Sequence, residues 1–137
     1  MAKEELYSHA FVRWLFPRCG MVRVRRGMAD RRAIREVLSY LEQGDLCALF
    51  PEGTRHYDGE LHSLYQGAAY FAIKKGVPLY PAMLIGDYRR LRSPISVRFG
   101  EPLYPPHSED PDRSDLEAWT LQLSQAMQEL MSIKEEA

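Results

Sequence analysis

Apolar positions recur along this chain in two periods, and each switch between them marks an element. Glu4 to Phe16 repeats at helical spacing, with Leu6, Tyr7, Ala10, Phe11, Trp14 and Leu15 on the stripe and Pro17 and Gly20 closing it. Such a face with Trp and Phe beside Arg13 and Arg18 suits either a membrane interface or packing on a sheet. Met21 to Arg26 then alternates. Val22, Val24 and Arg26 share one face, and Met21, Arg23 and Arg25 the other, which is a strand with arginine at its exit. Asp30 is placed to cap a helix running to about Gln43, with Ala33, Ile34, Val37, Leu38 and Leu41 as its stripe and Gly44 as its stop. Leu46 to Phe50 is a short apolar run bounded by turn residues, the pattern of a buried strand. Strand, helix and strand with short connections predict a right-handed parallel crossover.

The second half continues in the same way. A helix is expected over about Ser63 to Lys75, with Gly67, Ala68, Ala69 and Ala72 permitting close packing and Gly76 ending it. Val77 to Ile85 reads as a core strand, but Pro81 in its middle demands an edge or a bulge. Ile95 to Phe99 is a short strand, and Glu101 to Asp112, with four prolines, is irregular. A last helix over about 114–134 opens with Ser114 and Glu117 as a capping box and carries Leu116, Trp119, Leu123, Met127, Leu130 and Ile133. The whole pattern predicts one α/β domain over residues 1–137, a mixed and largely parallel sheet flanked by helices. Val22, Val24, Leu46, Ala48, Leu49, Leu79, Ala82, Leu84 and Val97 are expected to face helices led by Ile34, Leu38 and Leu41.

Charge changes this picture more than composition does. The formal net charge of -1 conceals a basic front and an acidic tail: residues 1–35 hold nine Lys/Arg against three Asp/Glu, and residues 101–137 two against nine. A basic front bearing aromatics suits a membrane surface or a phosphorylated ligand, or is simply a solvated charged face. No nucleic-acid module is legible, and no apolar run approaches the roughly 18 residues of a spanning helix. Cys19 and Cys47 have neither C-x-x-C spacing nor histidine partners and read as small apolar residues.

Candidate chemistry concentrates in Phe50-Pro51-Glu52-Gly53-Thr54-Arg55, at the end of the expected strand 46–50, the edge where ligands bind in open α/β sheets. Gly53 permits close backbone approach, Thr54 offers a hydroxyl, and Arg55 a fork of donors matched to phosphate or carboxylate. Glu52 is useful in an anion site only if it holds the arginine or accepts a bond from a substrate hydroxyl. Against this stands the plainer reading of a tight turn with Arg55 in water.

F-P-E-G-T-R, followed by Asp58-Gly59-Glu60-Leu61 and Gly67-Ala68-Ala69, resembles the third signature block of the glycerolipid acyltransferases, the family of bacterial 1-acylglycerol-3-phosphate acyltransferase. Gly76-Val77-Pro78-Leu79-Tyr80-Pro81-Ala82 resembles the fourth block and Gly20-Met21-Val22-Arg23-Val24-Arg25-Arg26-Gly27 the second, whose arginine falls on Arg26. The resemblance spans about residues 2–104, with blocks two to four at about 20–82. It implies acyl transfer from a coenzyme A or acyl carrier protein thioester to a lysophospholipid such as 1-acylglycerol-3-phosphate, in phospholipid biosynthesis. By the same resemblance Arg26, Glu52, Gly53, Thr54 and Arg55 bind the acceptor's phosphate and glycerol, no metal or bound cofactor takes part, and the enzyme works peripherally on the cytoplasmic side of the membrane.

The family departs from this chain in two places. Its first block, N-H-x-S-x-x-D, carries the catalytic histidine and would precede the segment matched by Ala2 to Leu6, so the resemblance implies an N-terminally truncated domain without turnover of its own. Where relatives often carry the basic pair of F-K-K-G, this chain has Leu64-Tyr65-Gln66-Gly67, which opens the acceptor to lysophospholipids or other lipid alcohols. His107 and Asp112 match the spacing H-x-x-x-x-D but fall in the acidic, proline-rich stretch; His9, His56 and His62 read as surface histidines. No Ser-His-Asp set or metal-ligand spacing is legible. The alternative function is a non-catalytic module that binds lipid phosphate or a membrane surface.

Overall fold

A computed structural model of the chain describes residues 2–3, 14, 20–24, 30–54, 60–86 and 94–132. They fall into two compact units, Met1–Phe50 and Pro51–Ala137. In the first unit, β1 (Ala2–Lys3) pairs in parallel with β2 (Arg23–Val24), Ala2 opposite Arg23 and Lys3 opposite Val24. Val22 is buried and Arg23 exposed, the alternation expected of this strand. The helix predicted at Glu4 to Phe16 lies outside the described residues except at Trp14, which is helical and exposed.

α1 (Arg31–Glu42) begins where predicted, because the Asp30 carboxylate accepts from Arg32 N at 3.1 Å and Ala33 N at 3.2 Å, two donors the helix itself cannot satisfy. Ala33 and Val37 are its buried residues. It ends in a Schellman arrangement, with Gly44 N donating to Leu41 O and Asp45 N to Tyr40 O. The strand expected at Leu46 to Phe50 does not form. The segment joins no ladder with any described strand, and Leu46 and Phe50 are 88% and 74% exposed. An apolar run becomes a strand only where a neighbouring strand pairs with it in a ladder, so strand propensity alone does not make one.

In the second unit α2 (Gly67–Lys75) buries Ala68, Ala69, Phe71, Ala72 and Ile73. It starts four residues later than predicted from Ser63, because the preceding segment is bonded elsewhere. Gly76 caps it in the left-handed region, φ +60°, with the His107 side chain against the space a Cβ would take. The strand predicted over Val77 to Ile85 is split. Leu79 makes an isolated antiparallel bridge to Leu103, and β3 (Ala82–Ile85) pairs antiparallel with β4 (Ser96–Phe99), Ala82 opposite Phe99. Two residues separate the bridged positions on one side and three on the other, the signature of a bulge, with buried Pro81 accepting from Gly100 N at 2.9 Å.

Side chains alternate across this hairpin, and the helix side is not the predicted one. α3 (Arg113–Ser132) lies against the face holding Arg98, whose Nη1 donates to Leu130 O at 2.8 Å, and Met83 is its register partner. Ala82, Leu84, Val97 and Phe99 therefore occupy the opposite, exposed face rather than facing helices. α3 buries Leu123, Met127 and Leu130 of the predicted stripe; Ile133 lies outside the described residues. Its cap is Asp112, not Ser114: Asp112 Oδ1 accepts from Asp115 N at 2.8 Å, and Glu117 instead pairs with Arg113 Nε at 2.6 Å. The architecture is α/β with both parallel and antiparallel pairing.

Candidate functional site

Pro51 to Thr54 form a turn that opens the second unit. Gly53 adopts φ +68°, a conformation that costs a side-chain-bearing residue about 1–2 kcal/mol. The Tyr65 ring also fills the place of its absent side chain: a Cβ built on Gly53 would sit 2.7 Å from Tyr65 Cε2. Tyr65 N donates to Pro51 O at 2.8 Å. Glu52 Oε2 accepts from His62 N at 3.1 Å. The segment before α2 is thus pinned to the turn at several points, which is why it stays out of the helix. Thr54 is exposed.

The two predicted roles for Glu52 were to hold the arginine or to bond a substrate hydroxyl. The structure gives this carboxylate a third task, closing the loop between positions 52 and 62 through a backbone donor. Arg55 and Arg26, the two predicted phosphate donors, lie outside the described residues, as do His9 and His56. Tyr65 was missed as a contributor. Its signal in the sequence was the aromatic at the first position of the basic pair, which reads as a lost charge until the ring is seen on Gly53.

The displaced histidine and aspartate take up structural duties. His107 Nε2 lies 3.3 Å from Glu109 Oε1, while Asp112 caps α3. Glu109 also bonds Lys74 through both its backbone carbonyl and its carboxylate, and that hydrogen bond and charge hold the Glu109 carboxyl below the ordinary glutamate range. Burial pushes the Cys47 thiol up, which disfavours its thiolate. Among the described residues, no cluster of His, Cys, Asp and Glu could hold a metal ion, and no helix is long and apolar enough to cross a membrane.

Comparison with known proteins converges on one group. The sequence profile of the family described as Acyltransferase matches residues 1–85, more than half of the chain. A chloroplastic 1-acyl-sn-glycerol-3-phosphate acyltransferase of Arabidopsis thaliana is 31% identical over 90 residues, covering 63% of this chain and 25% of its own. A lyso-ornithine lipid O-acyltransferase of Pseudomonas aeruginosa is 30% identical over 91 residues, covering 66% and 34%. The crystal structure of the 1-acyl-sn-glycerophosphate acyltransferase of Thermotoga maritima matches with a TM-score of 0.67 and 26% identity, over 98% of this chain and 57% of that one. The chain spans about a quarter to two-fifths of the length of the curated relatives it matches. A profile that runs from β1 through the 51–54 turn to β3, on a backbone shared with a solved relative, places the chain in the acyltransferase family.

Proposed function

We propose that these residues form the acceptor-binding part of an enzyme that transfers an acyl group from an acyl thioester, of coenzyme A or acyl carrier protein, to a lysophospholipid such as 1-acylglycerol-3-phosphate in phospholipid biosynthesis. The observation that carries the reading is the pinned turn, in which a left-handed Gly53 under Tyr65 is followed directly by exposed Thr54 and then by Arg55. A hydroxyl and a guanidinium at a braced backbone are suited to a phosphate, and each charge-assisted bond contributes on the order of 1.5–3 kcal/mol. Arg26 is a second donor by resemblance, with Glu52 as the brace that keeps the loop in place. The basic front and the lipid nature of the acceptor support work at a membrane surface, and the peripheral, cytoplasmic-side location is part of the same proposal.

Calorimetry with lysophosphatidic acid tests the reading. Arg55→Ala should weaken binding roughly tenfold or more, one lost charge-assisted bond. Equal affinity in the two proteins, or none in either, returns the 50–55 stretch to the status of a turn.

For the 137 residues by themselves we infer binding without turnover. Their one H-x-x-x-x-D pair is engaged elsewhere, His107 with Glu109 and Asp112 with the α3 backbone. A positioned general base contributes about 10² to 10⁴ in rate, and no other residue of the chain is legible in that role. Thiol release from an acyl thioester should be at background. Turnover that disappears in His107→Ala would overturn this.

A further inference from the structure

The segment leading into α2 behaves in a way that helix formation does not explain. Leu61 to Gln66 contains no proline or glycine, yet the chain stays out of the helix until Gly67, and α2 begins at Gln66 without a side-chain cap. The bonds forgone there go to the turn, His62 N to Glu52 Oε2 and Tyr65 N to Pro51 O, and the Tyr65 ring lies where a Gly53 side chain would be. Nor does burial account for the ring, which is 71% exposed. An aromatic side chain held over a glycine at the surface gains little from leaving water and does not serve the core. What it does constrain is Gly53, the one residue of the turn with free access to both signs of φ.

We propose that Tyr65 is the positioning residue of the acceptor site. Its ring and backbone hold the 51–54 turn, with Gly53 in the left-handed conformation, from which Thr54 is presented immediately before Arg55 in the sequence, and it acts through that turn without touching the ligand. The proposal rests on the acceptor-binding reading above. Without the ring, Gly53 regains its other conformations. If the competent one then holds about a tenth to a third of the population, apparent affinity falls about three- to tenfold, because the ligand must first select it.

The test is calorimetric titration of the full protein with lysophosphatidic acid, with thermal midpoints measured in parallel. Tyr65→Phe keeps the ring and should bind as the wild type does, while Tyr65→Ala should lose the three- to tenfold. In an Arg55→Ala background, Tyr65→Ala should cost less, because only Thr54 is then left for the turn to position. Should Tyr65→Ala fail to fold, Tyr65→Leu carries the same comparison with the bulk kept and the flat ring removed. Wild-type affinity in Tyr65→Ala, an equal loss in Tyr65→Phe, or an undiminished loss in the Arg55→Ala background overturns the proposal and leaves the acceptor site standing. Absence of binding in the wild type overturns both.

Discussion

Replacing Gly53 by alanine separates two costs that the structure superimposes at one position. The first is conformational. With φ at +68°, a Cβ meets its own backbone, at about 1–2 kcal/mol. The second is steric, since the new methyl would lie 2.7 Å from Tyr65 Cε2, too close for two carbons. The ring is mostly in solvent and its far edge can swing away, so the steric cost is capped at what the ring contact is worth. A few carbon contacts at about 0.1–0.2 kcal/mol each bring that to no more than about 1 kcal/mol. Gly53→Ala should therefore destabilise by about 1–3 kcal/mol. In a Tyr65→Ala background only the conformational cost remains, and the penalty should shrink by the steric share. Urea unfolding at constant slope reads both values. Gly53→Asn, which tolerates the left-handed region better, should cost less than alanine in either background. An alanine penalty unchanged by removal of Tyr65 would refute the ring's place over Gly53, and a penalty below about 0.5 kcal/mol would refute the left-handed turn itself.

Three further perturbations probe the second unit. Ile73 is 1% exposed at the centre of α2, so Ile73→Ala should cost about 2–5 kcal/mol in urea unfolding; a value near zero would place it outside the core. Asp112→Ala should cost about 0.5–2 kcal/mol through loss of the α3 cap, with Asp112→Ser restoring most of it, whereas a catalytic partner of His107 would tolerate neither change. Because the folded-state pKa of Glu109 is lowered, chiefly by its hydrogen bond to Lys74, its contribution is present above the unfolded-state value and fades as pH falls through the lower folded one; an NMR titration should show that depression and its loss in Lys74→Met.

What could be read from the sequence was what short-range chemistry decides. Asp30 caps α1 because its own carboxylate reaches Arg32 N and Ala33 N, two and three residues away. The small residues of α2 and the stripe of α3 likewise report their burial through spacing alone. Most of the misreadings depended on a partner distant in sequence. Leu46 to Phe50 has strand composition, but a strand exists only with a neighbour. Which face of β3 meets a helix is set by α3, about thirty residues further on, and alternation by itself cannot choose between the faces. Ser63 to Gln66 is compatible with helix and is diverted by Pro51 and Glu52. The cap of α3 is the exception, a local choice: Asp112 and Ser114 are both sound candidates, and the start of α3 at Arg113 selects the first.

The same dependence explains why the 50–55 stretch reads equally well as a turn and as an anion site, since on the proposed function the first is a condition of the second. An arginine on a free surface loop loses much of its rotamer and backbone freedom on binding a phosphate, and that loss subtracts from affinity. Here the loop leaves a turn tied at Pro51, Glu52 and Gly53 and is tied again at His62, ten residues past Glu52. Closing a loop of about this length costs only a few kcal/mol, and the penalty rises slowly with length. Folding bears that cost through the Glu52 and Tyr65 contacts before any ligand arrives. Arg55 follows Thr54 directly in the sequence, and for that reason the proposed anion site is built on this turn. A glutamate in the middle of a proposed anion-binding sequence is less anomalous on this account, because its carboxylate accepts from the His62 backbone N–H and so braces the turn.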